Sequence, residues 1–298
     1  MMMDNIKFKG IYSPIYSLYD KNMNVLKDSV EKLVRFNLKN GIKGFYVGGN
    51  TGECPVLPNQ TRKQMLEAVK SVSGDFSIIA HIGAGHFDDT LDLLDHANSI
   101  GVDAVSSLLP SLGEYYASDE ILEYYRILAK KSKSPVLAYV TSALNCDVLW
   151  FVKELMKIEN VIGVKLTVHD YYRFNQVKTV NGGNINVLNG PDQSLLAGLA
   201  MGADGAIGTT YNFMPKTACA IYDCFQKGDM KKALEEQTKL NQVINILLPM
   251  NIAFWKLPLI GLGIDVGYTV APQKMPTTEE TKEVLDKLMK TAYAENIS

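Results

Sequence analysis

The residue best placed to do chemistry in this sequence is a lysine near the end of a short apolar run. Lys165 sits in Val161-Ile162-Gly163-Val164-Lys165-Leu166-Thr167, which is rich in β-branched residues and is followed by the polar turn His169-Asp170. Such a run reads as a buried strand. Alternation sets Val161, Gly163, Lys165 and Thr167 on one face, and Ile162, Val164 and Leu166 on the other. The second face is wholly apolar and suits packing against helices. The first carries an amine and a hydroxyl at its carboxyl end. A partly desolvated ammonium gives up its proton more readily, which exposes a nucleophilic amine. The plainer alternative is a strand-end lysine whose stem packs and whose head reaches water.

Polar groups recur at the ends of other such runs. After Gly44 to Gly49 comes Gly49-Asn50-Thr51-Gly52-Glu53, where two glycines bracket Asn50 and Thr51. Backbone amides and polar side chains can face a small anion there, although a plain glycine-rich turn has the same composition. Tyr139 lies in Pro135 to Val140, Asn189-Gly190-Pro191-Asp192-Gln193 follows Ile185 to Asn189, and Gly208-Thr209-Thr210 closes Gly205 to Thr210. Asp192 also suits the start of a helix, as an anion in its first turn. Their convergence on one rim would make a site. His81 and His86 have no carboxylate or thiolate constellation beside them, so no metal centre is expected.

Placing these groups requires a regular frame, and the sequence alternates strand-like and helix-like segments. Lys9 to Ile15 is a first strand, and Asn24 opens a helix ending at Asn40-Gly41. The second strand leads to a helix from Pro58-Asn59 to Val72. The third, Phe76 to Ile82, leads to Asp88 to Ile100. The fourth runs from Asp103 to Leu109, and a loop with Tyr115 and Tyr116 precedes the helix opened by Ser118-Asp119-Glu120. Helices at Asp147 to Ile158, Tyr171 to Val180, Asp192 to Met201 and from Pro215 follow strands five to eight. Eight strand–helix units with short loops point to a parallel sheet, because each helix is a crossover. They suit a closed (β/α)₈ barrel, typically about 250 residues. The competitor, a doubly wound open sheet, would usually carry a Gly-rich phosphate turn after its first strand, and Ile11 to Asp20 has none. The division expected is a barrel over 1–226 and a helical region over 227–298. The latter is broken at Pro249 and carries a loop from Gly261 to Pro276.

Composition narrows the function classes. Of 298 residues, 47% are apolar and 21% charged, which is ordinary for a globular chain and argues against disorder. A net charge of −2 without a dense basic run argues against nucleic acid or an anionic membrane as partner. No apolar stretch approaches the about 18 residues of a membrane span, and the start Met1-Met2-Met3-Asp4-Asn5 lacks the apolar core of a signal peptide. Cys54, Cys146, Cys219 and Cys224 form no CxxC pair, so a reducing cytoplasm is the expected setting.

Taken together, three motifs carry a resemblance. Gly49-Asn50-Thr51-Gly52-Glu53 and Gly163-Val164-Lys165-Leu166-Thr167 are two of them. The third is Asn189-Gly190-Pro191-Asp192 followed by Gly202-Ala203-Asp204-Gly205-Ala206-Ile207-Gly208. In this order, from about Gly10 to Pro272, the chain resembles the N-acetylneuraminate lyase and dihydrodipicolinate synthase family. The resemblance implies a (β/α)₈ barrel with a C-terminal helical region, a homotetramer, and class I aldolase chemistry on 2-keto acids without metal or cofactor. Carried over by position, Lys165 would form the Schiff base and Tyr139 would relay the proton. Asn50 and Thr51 would hold the substrate carboxylate, and Thr167, Gly190, Asp192, Gln193 and Thr209 would bind the rest of the substrate.

The two branches differ after strand five. The synthase branch resembles Tyr-Asn-x-Pro-x-Arg, whose arginine grips a second carboxylate, whereas this chain has Tyr139-Val140-Thr141-Ser142-Ala143-Leu144. Ala143-Leu144 looks like the lyase branch. The lyase branch usually has Ile-Pro at Thr141-Ser142, Ser at Asn50, Glu at Gln193 and Ser at Thr209. These departures place any change of specificity in the substrate's tail. The expected function is cleavage of a sialic acid or related 2-keto-3-deoxy sugar acid to pyruvate and an aldehyde. The alternatives are a pyruvate-condensing synthase and a sugar-acid-binding protein without catalysis.

Overall fold

The computed structural model describes residues 7–108, 116–144 and 146–297. Leu109 and Tyr115, assigned above to a strand and a loop, lie outside them, as does the segment Met1 to Asn5. At the centre is a closed barrel of eight parallel strands in chain order. The first four are β1 (Gly10–Pro14), β2 (Gly44–Val47), β3 (Ser77–His81) and β4 (Ala104–Leu108). The others are β5 (Val136–Thr141), β6 (Val161–Thr167), β7 (Asn186–Asn189) and β8 (Gly205–Ile207). β1 pairs with β2 on one side and β8 on the other, which closes the sheet and removes its edges.

A helix follows each strand on the outside. In order these are α1 (Lys27–Lys39), α2 (Asn59–Lys70), α3 (Phe87–Ile100) and α4 (Ser118–Lys131), then α5 (Val148–Leu155), α6 (Tyr171–Lys178), α7 (Leu195–Ala200) and α8 (Pro215–Gln226). The (β/α)₈ barrel is therefore the fold, and the open sheet is not. Beyond it come α9 (Met230–Leu247), α10 (Ile252–Trp255), α11 (Thr278–Leu288) and α12 (Tyr293–Ile297). In α9, Ala233, Gln237, Leu240, Ile244 and Leu247 are buried, and their three-to-four-residue spacing makes one apolar stripe. Asp229 caps it, accepting from the Lys232 amide at 3.1 Å. No helix among the described residues is long and apolar enough to cross a membrane.

Two cores follow from the strand alternation. Val164 and Leu166 face outward and join a large cluster with the helices, which includes Leu33, Val69 and Phe151. Tyr12, Tyr46, Ile79, Leu137, Tyr139, Leu188 and Ile207 fill the barrel itself. Phe8 belongs to this inner cluster, and Asn186 at the start of β7 holds its backbone, accepting from Phe8 N at 2.8 Å and donating to Phe8 O at 2.9 Å.

Three local readings need correction. Ile162 packs against the inner cluster and not the outer one. The β5–β6 register jumps from Val136↔Val161 to Leu137↔Gly163, so one extra residue on β6 breaks the alternation. Helix α1 starts at Lys27 and not Asn24, because Asp20 accepts from the Asn22 and Asn24 amides at 2.8 and 2.9 Å and folds that stretch into a turn. The segment after β7 begins as a 3₁₀ turn, Asp192–Ser194, before α7.

Candidate active site

Strand β6 presents Lys165 to the barrel interior, where only 6% of its surface is exposed. Its Nζ lies 4.0 Å from the centre of the Tyr139 ring and 4.5 Å from that of Tyr46. Tyr139 is its direct register partner on β5. The two rings meet edge to face, with centroids 6.3 Å apart. An ammonium is held here by the ring faces. Among the described residues no carboxylate forms an ion pair with it. Tyr46 donates to Ser106 Oγ at 3.0 Å, and burial holds its phenol well above the usual pKa. Tyr46 is thus a neutral wall beside the amine, and Tyr139 is the second phenol against it.

One level further toward the mouth, Thr167 pairs with Thr141 and sits against Gly190. A Cβ on Gly190 would come 1.8 Å from Thr167 Oγ1, so only glycine allows this approach. Thr167 Oγ1 is buried and has no hydrogen-bond partner among the described residues.

The turn Asn50–Gly52 lies over the same end of the barrel. Gly49 packs its backbone on the Tyr46 ring, where a Cβ would come 2.4 Å from the ring carbon, so Tyr46 links this turn to Lys165. Thr51 is buried, and its hydroxyl is 2.7 Å from that of Thr209. Asn50, Thr51, Asp192, Gln193 and Thr209 line one cavity of about 310 Å³. Lys165, Tyr139 and Thr167 on β5 and β6, with Gly190 just past β7, form a second group that does not line it.

Asp192 does not act through the first turn of its helix. Its carboxylate accepts from the Thr210 amide at 2.9 Å and the Thr210 hydroxyl at 2.7 Å, tying the β7 loop to the β8 loop. Gly208 must be small there, because a Cβ would meet both Tyr211 and Asp192 within 2.6 Å. Gln193 is exposed and Thr209 half-buried. A slightly larger cavity, about 330 Å³, lies between α3 and α4 beside Phe87, Tyr116 and Tyr124. No lysine is among the described residues that line it.

The model for the dihydrodipicolinate synthetase family matches residues 7–292. The chain belongs to that family. It is 33% identical to the N-acetylneuraminate lyase of Rhizobium meliloti (strain 1021) over 273 residues, 91% of this chain and 90% of the relative. It is 32% identical to N-acetylneuraminate lyase 2 of Escherichia coli O6:H1 over 294 residues, 97% and 96% of the two chains. Among solved structures, Proteus mirabilis N-acetylneuraminate lyase superposes with a TM-score of 0.90 at 28% identity, covering 95% of this chain and 98% of the other. Ruminococcus gnavus sialic acid aldolase superposes at 0.88 and 28%, covering 98% and 100%. A catalytic lysine mutant of that aldolase matches equally well, at 0.88 and 28% over 98% of each chain. As a member of the dihydrodipicolinate synthetase family, the protein is a pyruvate-dependent class I aldolase or lyase acting on small keto acids.

Several groups that support this family's mouth carry no signal in the sequence. His81 donates from Nδ1 to Gly48 O at 3.0 Å and accepts at Nε2 from the Leu108 amide at 3.0 Å. Burial first, and then the Arg62 charge, push its pKa well below the usual value. It therefore stays neutral, with both nitrogens engaged, in one tautomer. Arg62 is buried and reaches Gly48 O at 3.2 Å and His81 O at 2.8 Å, stapling the β2 and β3 ends. Arg62 lies in the first turn of α2 beside Lys63, and nothing in its spacing marks it.

Glu53 closes the Asn50 turn in a left-handed conformation, φ 60°. Its carboxylate meets the ammonium of Lys256, just after α10, with side-chain exposures of 2% and 0%. Tyr19 donates to Glu53 Oε2 at 2.8 Å, and Lys256 donates to Ser17 O and Tyr268 O, each at 2.9 Å. Burial lowers the Lys256 pKa, and Glu53 opposes that. Breaking such a pair from one side leaves a buried charge. Lys256→Met should thus lower the unfolding free energy by about 3–5 kcal/mol, and adding Glu53→Gln should recover part of the loss. Denaturant midpoints measure both; a single variant as stable as the wild type would mean that the pair does not hold the turn.

Proposed function

We propose that the protein is a Schiff-base aldolase cleaving a sialic acid or a related 2-keto-3-deoxy sugar acid to pyruvate and an aldehyde. The observation that carries the reading is the Lys165 amine set against Tyr139, without an ion-pair partner among the described residues, beside a polar rim. The likeness to N-acetylneuraminate lyases, and to an aldolase with a catalytic lysine, supports it.

In this reading Lys165 adds to the keto carbon, and water leaves as the protonated imine forms. Asn50 and Thr51 hold the substrate carboxylate. Tyr139 takes the proton from the hydroxyl next to the breaking bond, while the imine draws in that bond's electron pair as an enamine. The aldehyde leaves, a proton returns to the enamine carbon, and water releases pyruvate from Lys165. Thr167, Gly190, Asp192, Gln193 and Thr209 bind along the chain of the sugar acid. Leu144, where the synthase branch has its arginine, packs on the outer core and offers no cation to a second carboxylate. Four free cysteines suit a reducing cytoplasm, the proposed setting, and a homotetramer is the proposed assembly.

The test is a panel of 2-keto sugar acids with pyruvate detection. Pyruvate release from at least one 2-keto-3-deoxy sugar acid is expected. No release from any member, together with condensation of pyruvate with an amino-acid semialdehyde, would replace the lyase by the synthase.

A further inference from the structure

Asn50 is exposed at the cavity of about 310 Å³, and Cys54 lies buried behind it, four residues on. The thiol donates from Sγ to Asn50 Oδ1 at 3.2 Å. Burial pushes the Cys54 pKa up to about 11, so the sulfur keeps its proton and remains a donor. An amide has one accepting end and one donating end. With Oδ1 taken by the thiol, the NH₂ group is the end left for the cavity. The reverse orientation would set the thiol proton against the amide protons, with sulfur only a weak acceptor.

Other groups hold the backbone of this turn. Ser17 donates to Gly52 O at 2.8 Å, the Cys54 amide donates to Gly49 O at 3.2 Å, and Glu53 is paired with Lys256. The thiol therefore acts on the Asn50 side chain and not on the path of the chain. Cys54 also lines a smaller cavity of about 80 Å³ with His81, Gly83 and Leu108, so a one-atom change at position 54 can be absorbed. Where the lyase branch usually has serine, the hydroxyl donates and accepts alike. The asparagine here must be turned one way to meet a carboxylate, which only accepts.

We propose that Cys54 is a positioning residue: its thiol locks the Asn50 amide with the NH₂ group toward the substrate carboxylate. The inference rests on the aldolase reading, in which Asn50 holds that carboxylate. It adds a residue that sets substrate binding through another side chain.

The experiment compares Cys54→Ala, which removes the donor, with Cys54→Ser, which keeps one, each alone and in an Asn50→Ala background. KM and kcat come from pyruvate release, with a 2-keto-3-deoxy sugar acid that the wild type cleaves. Borohydride trapping gives the pyruvate concentration for half-maximal imine formation. Cys54→Ala should raise KM and that concentration about two- to tenfold, the range of one neutral hydrogen bond. Its kcat should stay within about twofold, because the carboxylate contact is the same before and during bond breaking. Cys54→Ser should stay near the wild type. In the Asn50→Ala background, Cys54→Ala should change nothing further. Three results would overturn the positioning role and leave the aldolase standing: equal losses in the serine and alanine variants, a wild-type KM in Cys54→Ala, or a Cys54→Ala loss that persists in full without the Asn50 amide. A wild type that neither cleaves any sugar acid nor traps pyruvate would overturn both.

Discussion

Lys165→Ala should leave no measurable turnover while the barrel stays folded. The reason is chemical: without the amine there is no imine, and without the imine the electron pair of the breaking bond has nowhere to go. The fold has less at stake, since the Lys165 head rests on the faces of Tyr46 and Tyr139 and forms no ion pair among the described residues. Lys165→Arg should be equally inactive. It keeps the positive charge and most of the contact with the two rings, but a guanidinium stays protonated and cannot condense with a carbonyl. Steady-state pyruvate release alongside thermal unfolding makes the comparison. An active arginine variant would show that the lysine contributes charge alone.

Tyr139→Phe should lower kcat by about 10²–10⁴-fold, the range for removing a positioned proton carrier. The ring is retained, so the edge-to-face contact with Tyr46 and the bed for the Lys165 ammonium persist. Pyruvate should still form an imine with the variant, at least in part, because in the proposed mechanism the phenol acts when the carbon–carbon bond breaks. Turnover near the wild-type rate would make Tyr139 a packing residue only. Tyr46→Phe is a useful contrast: its hydroxyl is engaged by Ser106, and burial holds its proton in place, so turnover should survive far better.

The frame and the lysine were legible because both rest on local patterns. An apolar, β-branched run of seven residues reads as β6 whatever surrounds it, and eight alternations of strand and helix leave few ways to fold. The polar strand ends were legible for the same reason, since a barrel of this kind gathers them on one rim. The misread features depend on partners distant in sequence. Ile162 turns inward because of an extra residue in the pairing with β5, which alternation within one strand cannot reveal. Asp192 looks like a helix-start residue by type and place, yet Thr210, on the next loop, takes its carboxylate.

The C-terminal helices were hidden in another way. Ile244 fits an amphipathic helix, and such a pattern states that one face is covered without saying what covers it. Lys256 reads as a solvated charge by composition, and only the fold brings it to Glu53 in a fully buried pair. A motif such as Gly49-Asn50-Thr51-Gly52-Glu53 thus shows its polar turn in the sequence and conceals the residue that anchors it.

The most direct test of imine chemistry at Lys165 is reduction by borohydride in the presence of pyruvate, followed by peptide mass analysis. The expected result is one covalent addition, on the peptide carrying Lys165, which is absent without pyruvate and in Lys165→Ala. Labelling of a different lysine, or none in the native protein, would contradict it.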